Sequence, residues 1–229
     1  MIVHVASRAR EARRVGRIIV ATDDRRIADA VDAGGFEAKL TSPTARSGTD
    51  RVAEVAATLD NELIVNIQGD EPLIDPDTID AAIEALMREA EAQVSTTSEP
   101  ILEVEDVFNP SVVKVVTDAR GFALYFSRSP VPHIRQTQGL TLEEALLADP
   151  RLLGNYRKHS GLYAYRNTFL RRFAQMPQSP LEQLEALEQL RALENGARIR
   201  VVRVEGRSIG VDTWQDYERA KRLIEERTV

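Results

Sequence analysis

The run Leu63-Ile64-Val65-Asn66-Ile67-Gln68 stops abruptly at Gly69-Asp70-Glu71-Pro72. Its β-branched residues and its Gly/Pro boundary read as a buried strand over 63–68. Gly69 lets the backbone turn sharply, which puts Asp70 and Glu71 just past the strand's C-terminal end. In open α/β sheets that edge is where ligands bind. A carboxylate there can hold a divalent cation against a phosphate, or it can cap the next helix. The ten residues alone leave both readings open.

The neighbouring segments set the fold class. Residues 2–14 pattern as a helix with Ile2, Val5, Ala6 and Ala9 on one face. Residues 17–22 read as a strand, 24–33 as a helix capped by Asp23 or Asp24, 36–40 as a strand and 48–59 as a helix. After the 63–68 strand, Asp75-Pro76 opens a helix running to about residue 91. This β-α-β-α rhythm predicts an α/β fold, a mostly parallel, Rossmann-like sheet flanked by helices. The second half differs. Strands at 112–117 and 122–126 are spaced for a hairpin. Residues 130–155 read as loop with a helical piece at 142–148, and 159–165 alternates as a strand. A helix is expected over 183–194, a strand over 198–204 and a terminal helix over 213–227. The expectation is one domain, 1–229, with a mixed strand/loop subdomain inserted at about 110–165.

Composition removes several function classes. The net charge of −6 argues against nucleic-acid binding, which needs a basic face. With no cysteine, disulfides, thiolate metal sites and a Cys nucleophile are excluded. Three histidines, His4, His133 and His159, make a multi-histidine metal site improbable. No apolar run approaches a membrane span, and the first residues lack a signal-peptide pattern. A cytoplasmic protein without membrane insertion is expected. P-loop, GxGxxG, HExxH and GxSxG motifs are missing from the sequence.

Five sets of residues and one further arginine could carry chemistry. In Ser47-Gly48-Thr49-Asp50-Arg51, small residues precede a helix whose free N–H groups suit an anion. Ser47 or Thr49 could equally be its cap, while Arg51 places a cation where the helix dipole opposes it, unless an anion rests nearby. Gln68 and Asp70 close the strand already described. Asp212, in Ile209-Gly210-Val211-Asp212-Thr213, follows a strand and precedes a helix; it is either a cap or a second carboxylate at the ligand edge. Two such carboxylates would suit Mg²⁺, which takes few protein oxygens and leaves room for substrate phosphates. Alternation puts His159, Gly161 and Tyr163 on one strand face, where His159 and Tyr163 flanking a glycine gap could grip a polyhydroxylated ligand. Glu182, Glu185, Glu188 and Gln189 flank a leucine stripe and would be mostly solvated, with one of them able to face a pocket. Arg128, after an aromatic strand, is a surface arginine or an anion clamp.

Taken together, SGTDR, LIVNIQGDEP, FNPSVVKVV, GFALYFSRSPVP, HSGLYAYR, SPLEQLEALEQLR and GVDT resemble, in order, the motifs of the 3-deoxy-manno-octulosonate (KDO) cytidylyltransferases. The resemblance spans the chain. It implies a fold of the nucleotide-diphospho-sugar transferase type. It also implies transfer of a cytidylyl group from CTP to the anomeric hydroxyl of KDO, giving CMP-KDO and pyrophosphate for lipopolysaccharide synthesis. Asp70 and Asp212 match the magnesium ligands and Arg51 the arginine near nucleotide and metal. Gln68, His159, Tyr163, Glu188 and Gln189 match sugar-site positions. Arg128 is a candidate for the sugar carboxylate, Ser47 joins the substrate-binding set, and a homodimer is implied. A synthetase for another acid sugar, a homologue that binds without turnover, and a nucleotide-sugar glycosyltransferase are the alternatives. Family members open with a strand and a basic loop ahead of the position of Met1. The resemblance therefore leads us to expect two strands here that lack ladder partners, and weak binding of CTP.

Overall fold

The computed structural model describes residues 1–135, 137, 139–205, 210, 211 and 213–227, with the side chains of 226 and 227 left aside. α1 (Ile2–Arg10) stops short of the expected end. The backbone amides of Arg13 and Arg14 instead donate to the buried Asp80 carboxylate at 3.1 and 2.8 Å. β1 (Ile19–Thr22) and β2 (Glu37–Leu40) pair in parallel, joined by α2 (Arg25–Ala33). The Asp24 side chain accepts from Arg26 N and caps α2, so local sequence decides where this helix starts. α3 (Gly48–Ala56), capped by Ser47, leads to β3 (Leu63–Asn66), and α4 (Pro76–Arg88) starts at Asp75-Pro76 as expected.

The larger sheet contains β4 (Val94–Pro100), β5 (Lys114–Thr117), β6 (Ala123–Ser127), β7 (Arg157–Arg166) and β8 (Ile199–Arg203). Their order is β6-β5-β7-β4-β8, with β3 on the remaining stretch of β7. The α/β class is as expected, and the strand directions are more mixed than the first ninety residues suggest. β4 and β8 are parallel, whereas β7 runs antiparallel to β3, β4 and β5, and β5–β6 is the expected hairpin. The strands of residues 110–165 thus belong to the main sheet, and β7 is its hub.

β4 has no counterpart in the sequence reading. Its residues, Val94-Ser95-Thr96-Thr97-Ser98-Glu99-Pro100, show no apolar alternation, yet all but Pro100 are buried. Two of its hydroxyls are satisfied from neighbouring elements: Ser95 Oγ donates to Ala82 O at 2.6 Å and Thr96 Oγ1 to Leu162 O at 2.7 Å. The expected helix over 183–194 is broken into α8 (Pro180–Glu185) and α9 (Glu188–Glu194), with Ala186 left-handed at φ 50° between them. The remaining helices are α5 (Val104–Phe108), α6 (Leu142–Ala148), α7 (Asn167–Phe173) and α10 (Trp214–Arg227), with a 3₁₀ turn at Pro150–Asn155.

Apolar clusters cover both sheet faces. Phe126, Tyr165, Leu170, Phe173 and Leu190 pack on one side, and Ile74, Ile79, Leu86 and Leu162 on the other. Among the described residues, β1 has ladder bonds to β2 alone and β3 to β7 alone. Their other edges face a cleft of about 710 Å³ lined by Val5, Ala9, Val52, Ile64 and Ile83, with Arg51 and Gln68 also on its wall.

Candidate functional site

Arg51 ties the loop after β1 to the loop after β2. Its guanidinium donates to Asp23 Oδ2 at 2.7 Å, Thr41 Oγ1 at 3.0 Å and Ser42 O at 3.2 Å. Gln68 lies between two glycines from distant motifs. A Cβ on Gly48 would meet Gln68 Oε1 at 3.4 Å, and one on Gly161 would meet Gln68 Cγ at 3.6 Å and Glu71 Oε1 at 3.3 Å. The SGTDR, IQGDE and HSGLY segments therefore converge on the Gln68 side chain.

Past Gln68, the carboxylates crowd. Glu71 is buried, Oε2 has no hydrogen-bond partner, and its carboxyl is pushed up to about 7. Burial is the main cause, followed by the charges of Asp70 and Glu99. Lys158 Nζ, 3.2 Å from Glu99, compensates part of this charge, and Gly161 N–H donates to Glu71. The backbone carbonyl of Asp70 accepts from Val211 N at 2.9 Å, which brings the segment before α10 to this loop. Asp212 itself lies outside the described residues. Among those residues no group of three or more His, Asp or Glu side chains forms a metal site. An oxygen-only donor set with excess negative charge nevertheless fits Mg²⁺, which takes one or two protein carboxylates and fills its shell with water and phosphate.

His159 and Tyr163 do share a face, but not around a gap. Residues four apart on a regular strand stand about 13 Å from each other, whereas these ring centroids are 5.2 Å apart. The cause is a bulge: Thr96 pairs with Tyr163 and Thr97 with Ser160, so Gly161 and Leu162 are extra on β7. The room made by Gly161 is taken by Glu71 and Gln68. His159 is held neutral, its imidazolium pushed down to about 3 by burial. Tyr163 stacks on Tyr165 at 5.7 Å, and burial raises both phenols.

Ser47 and Glu188 come together directly. Ser47 Oγ donates to Glu188 Oε1 and Thr49 Oγ1 to Glu188 Oε2, each at 2.6 Å, and Arg191 Nη2 donates to Oε1 at 3.2 Å. Arg191 is itself buried and paired with Glu182 at 3.1 Å. Gln189 is buried in α9 and makes no hydrogen bond to the other candidates among the described residues. Arg128, expected as a surface arginine or an anion clamp, acts as a tether. Its Nε, Nη1 and Nη2 donate to the carbonyls of Glu185, Pro110 and Ala186, and Glu185, expected among the solvated glutamates, accepts from Ser127 Oγ and Arg128 N. The sequence reading missed Thr96 and Glu99, whose segment carries no local signal, and Arg191, which closes the SPLEQLEALEQLR block; Thr49, in the SGT run, did carry a signal.

Comparison with known proteins identifies the family. A family model described as cytidylyltransferase matches residues 1–199. A 3-deoxy-manno-octulosonate cytidylyltransferase from Syntrophotalea carbinolica is 50% identical over 221 residues, covering 96% of this chain and 86% of that protein. Its Geobacter metallireducens counterpart is 51% identical over 219 residues, covering 96% and 85%. A solved CMP:2-keto-3-deoxy-manno-octonic acid synthetase complexed with CTP superposes with a TM-score of 0.87 at 36% identity, over 99% of this chain and 88% of that one. A 4-diphosphocytidyl-2C-methyl-D-erythritol synthase, at 13% identity and a TM-score of 0.60 over 97% of this chain and 87% of that one, shares the fold.

Proposed function

The chain belongs to the cytidylyltransferase family, in its 3-deoxy-manno-octulosonate branch, and on that premise we propose which residues carry the reaction. The reaction is transfer of the cytidylyl group of CTP to the anomeric hydroxyl of KDO, releasing pyrophosphate and activating the sugar for lipopolysaccharide synthesis. The observation that carries the residue assignment is the convergence of three motifs on Gln68, beside the carboxylate-rich turn at Asp70.

Asp70 and, by its family motif, Asp212 would hold Mg²⁺. Bound there, the ion would offset charge on the α-phosphate and on the departing pyrophosphate. The Asp70–Val211 backbone bond supports the pairing of these segments. Gln68, His159 and Tyr163 would meet the sugar, and Gln189 joins them by its family motif. Glu188 keeps Ser47 and Thr49 at the α3 N-terminus in place, so that the first-turn amides of α3 face an anion. Arg51 braces the loops after β1 and β2 through Asp23 and Thr41, on the wall of the cleft that Gln68 also lines. Such a transfer depends on in-line placement and charge neutralisation more than on covalent help, which suits a site built of tethered loops.

A homodimer is proposed from edge strand β6, which exposes Leu124 at 63%. A cytoplasmic location is proposed from CTP as co-substrate; among the described residues no helix is long and apolar enough to cross a membrane. The test is pyrophosphate release with CTP, with KDO set against sialic acid, with and without Mg²⁺. Release with KDO and Mg²⁺ supports the reading. Release with sialic acid instead means another acid sugar, and binding without release means a non-catalytic homologue.

A further inference from the structure

Thr96 sits in the middle of β4, fully buried, opposite the bulge in β7. Three groups surround its hydroxyl: Leu162 O at 2.7 Å, Ser160 O at 3.3 Å and His159 Nε2 at 2.9 Å. A hydroxyl has one proton to give, and a carbonyl can only accept. If the Thr96 proton pointed at His159, the oxygen would stand 2.7 Å from the Leu162 carbonyl with no proton between them, two electron-rich atoms in contact inside a sheet. The proton therefore goes to Leu162 O, and the Thr96 oxygen accepts from the imidazole.

We propose that Thr96 is a positioning residue that fixes His159 as the Nε2–H tautomer, leaving Nδ1 as a lone-pair acceptor for a hydroxyl of the sugar. The ring cannot easily reorient, since it is wedged between Phe126, edge-on at 5.0 Å, and Tyr163 at 5.2 Å. No hydrogen bond within the described residues uses Nδ1. Burial keeps the ring neutral at physiological pH, so that this lone pair is available. A bare Nδ1 accepts from a hydroxyl and repels a carboxylate. Resting on the acid-sugar reading of the site, the assignment makes His159 a selector of orientation. A sugar hydroxyl meets the ring, and the sugar carboxylate is turned elsewhere.

The test is long-range ¹H–¹⁵N correlation of the imidazoles in the full, ¹⁵N-labelled chain, with kinetics on the same variants. His159 should show a protonated Nε2 and a bare Nδ1, unchanged in Thr96→Ser and shifted toward the other tautomer in Thr96→Val. Losing that acceptor geometry should raise KM for the sugar about tenfold, the value of roughly one hydrogen bond. KM for CTP should stay put, and Thr96→Ser should restore the sugar KM. A protonated Nδ1 in the native chain overturns the proposal, as does a Thr96→Val spectrum identical to the native one. If the Val variant does not fold, the native and Ser spectra decide. The expected tautomer in a chain that binds no acid sugar would instead overturn the reading of the site and leave the role of Thr96 standing.

Discussion

Ser47 Oγ donates to Glu188 Oε1 at 2.6 Å, joining residues 141 positions apart. This bond fastens the turn before α3 to the first residue of α9, and Thr49 repeats it on the other carboxylate oxygen. The small residues of the SGT motif are thus held from outside, by a charge that also neutralises the buried Arg191.

A double-mutant cycle with Ser47→Ala and Glu188→Gln should show this bond. Hydrogen bonds to charged groups contribute about 1.5–3 kcal/mol, so the two changes should be non-additive by about that amount in chemical denaturation. Additive losses would mean that the two residues do not act together.

Asp70→Asn keeps the size of the side chain and removes its charge. Its melting temperature should stay near that of the native chain. Pyrophosphate release should fall by about 100-fold or more, because charge stabilisation by a held metal is a matter of several kcal/mol at 1.36 kcal/mol per tenfold. Excess Mg²⁺ should recover part of the loss. An unchanged rate would remove Asp70 from the metal site.

Stability should depend on pH through His159. Its imidazolium is pushed down to about 3 in the fold, against an unfolded value of 6.5. Between those values the unfolded chain binds a proton that the folded chain does not, so stability rises with pH across that window and is lost as pH falls from 6.5 toward 3. The full effect is a few kcal/mol at about 1.36 kcal/mol per unit. His159→Gln, measured by denaturant titration at pH 5 and pH 7.5, should flatten this difference. An equal pH slope in both chains would show that the histidine titrates normally.

Ala186 holds a left-handed backbone at φ 50° between α8 and α9. That region costs a residue with a Cβ about 1–2 kcal/mol, and glycine adopts it freely. Ala186→Gly should therefore stabilise the chain by up to about 1 kcal/mol after its extra unfolded-state entropy is counted. A lower melting temperature would indicate that the methyl group packs in a way that outweighs the strain.

Local chemistry made much of the first ninety residues legible. Asp24 caps α2, Asp75-Pro76 opens α4, and the 63–72 run places a strand end and its acidic turn next to each other, because each signal acts within a few residues. The family motifs likewise mark which segments are candidates for the site, and three of them meet at Gln68. What remained illegible depends on partners far along the chain. β4 reads as polar and is buried because Ala82, Leu162 and Ser160 bond to Ser95, Thr96 and Glu99. The leucine stripe over 181–190 reads as one helix and is broken at Ala186, beside carbonyls that Arg128 holds from β6. Alternation put His159 and Tyr163 on one face, but only the bulge against β4 brought their rings together and turned Thr96 under the imidazole. The sequence by itself determined the α/β class and the family motifs, which are written in short-range pattern. Tertiary structure alone decided how the buried polar groups pair, because a hydrogen bond across a sheet leaves no trace in the spacing of either strand.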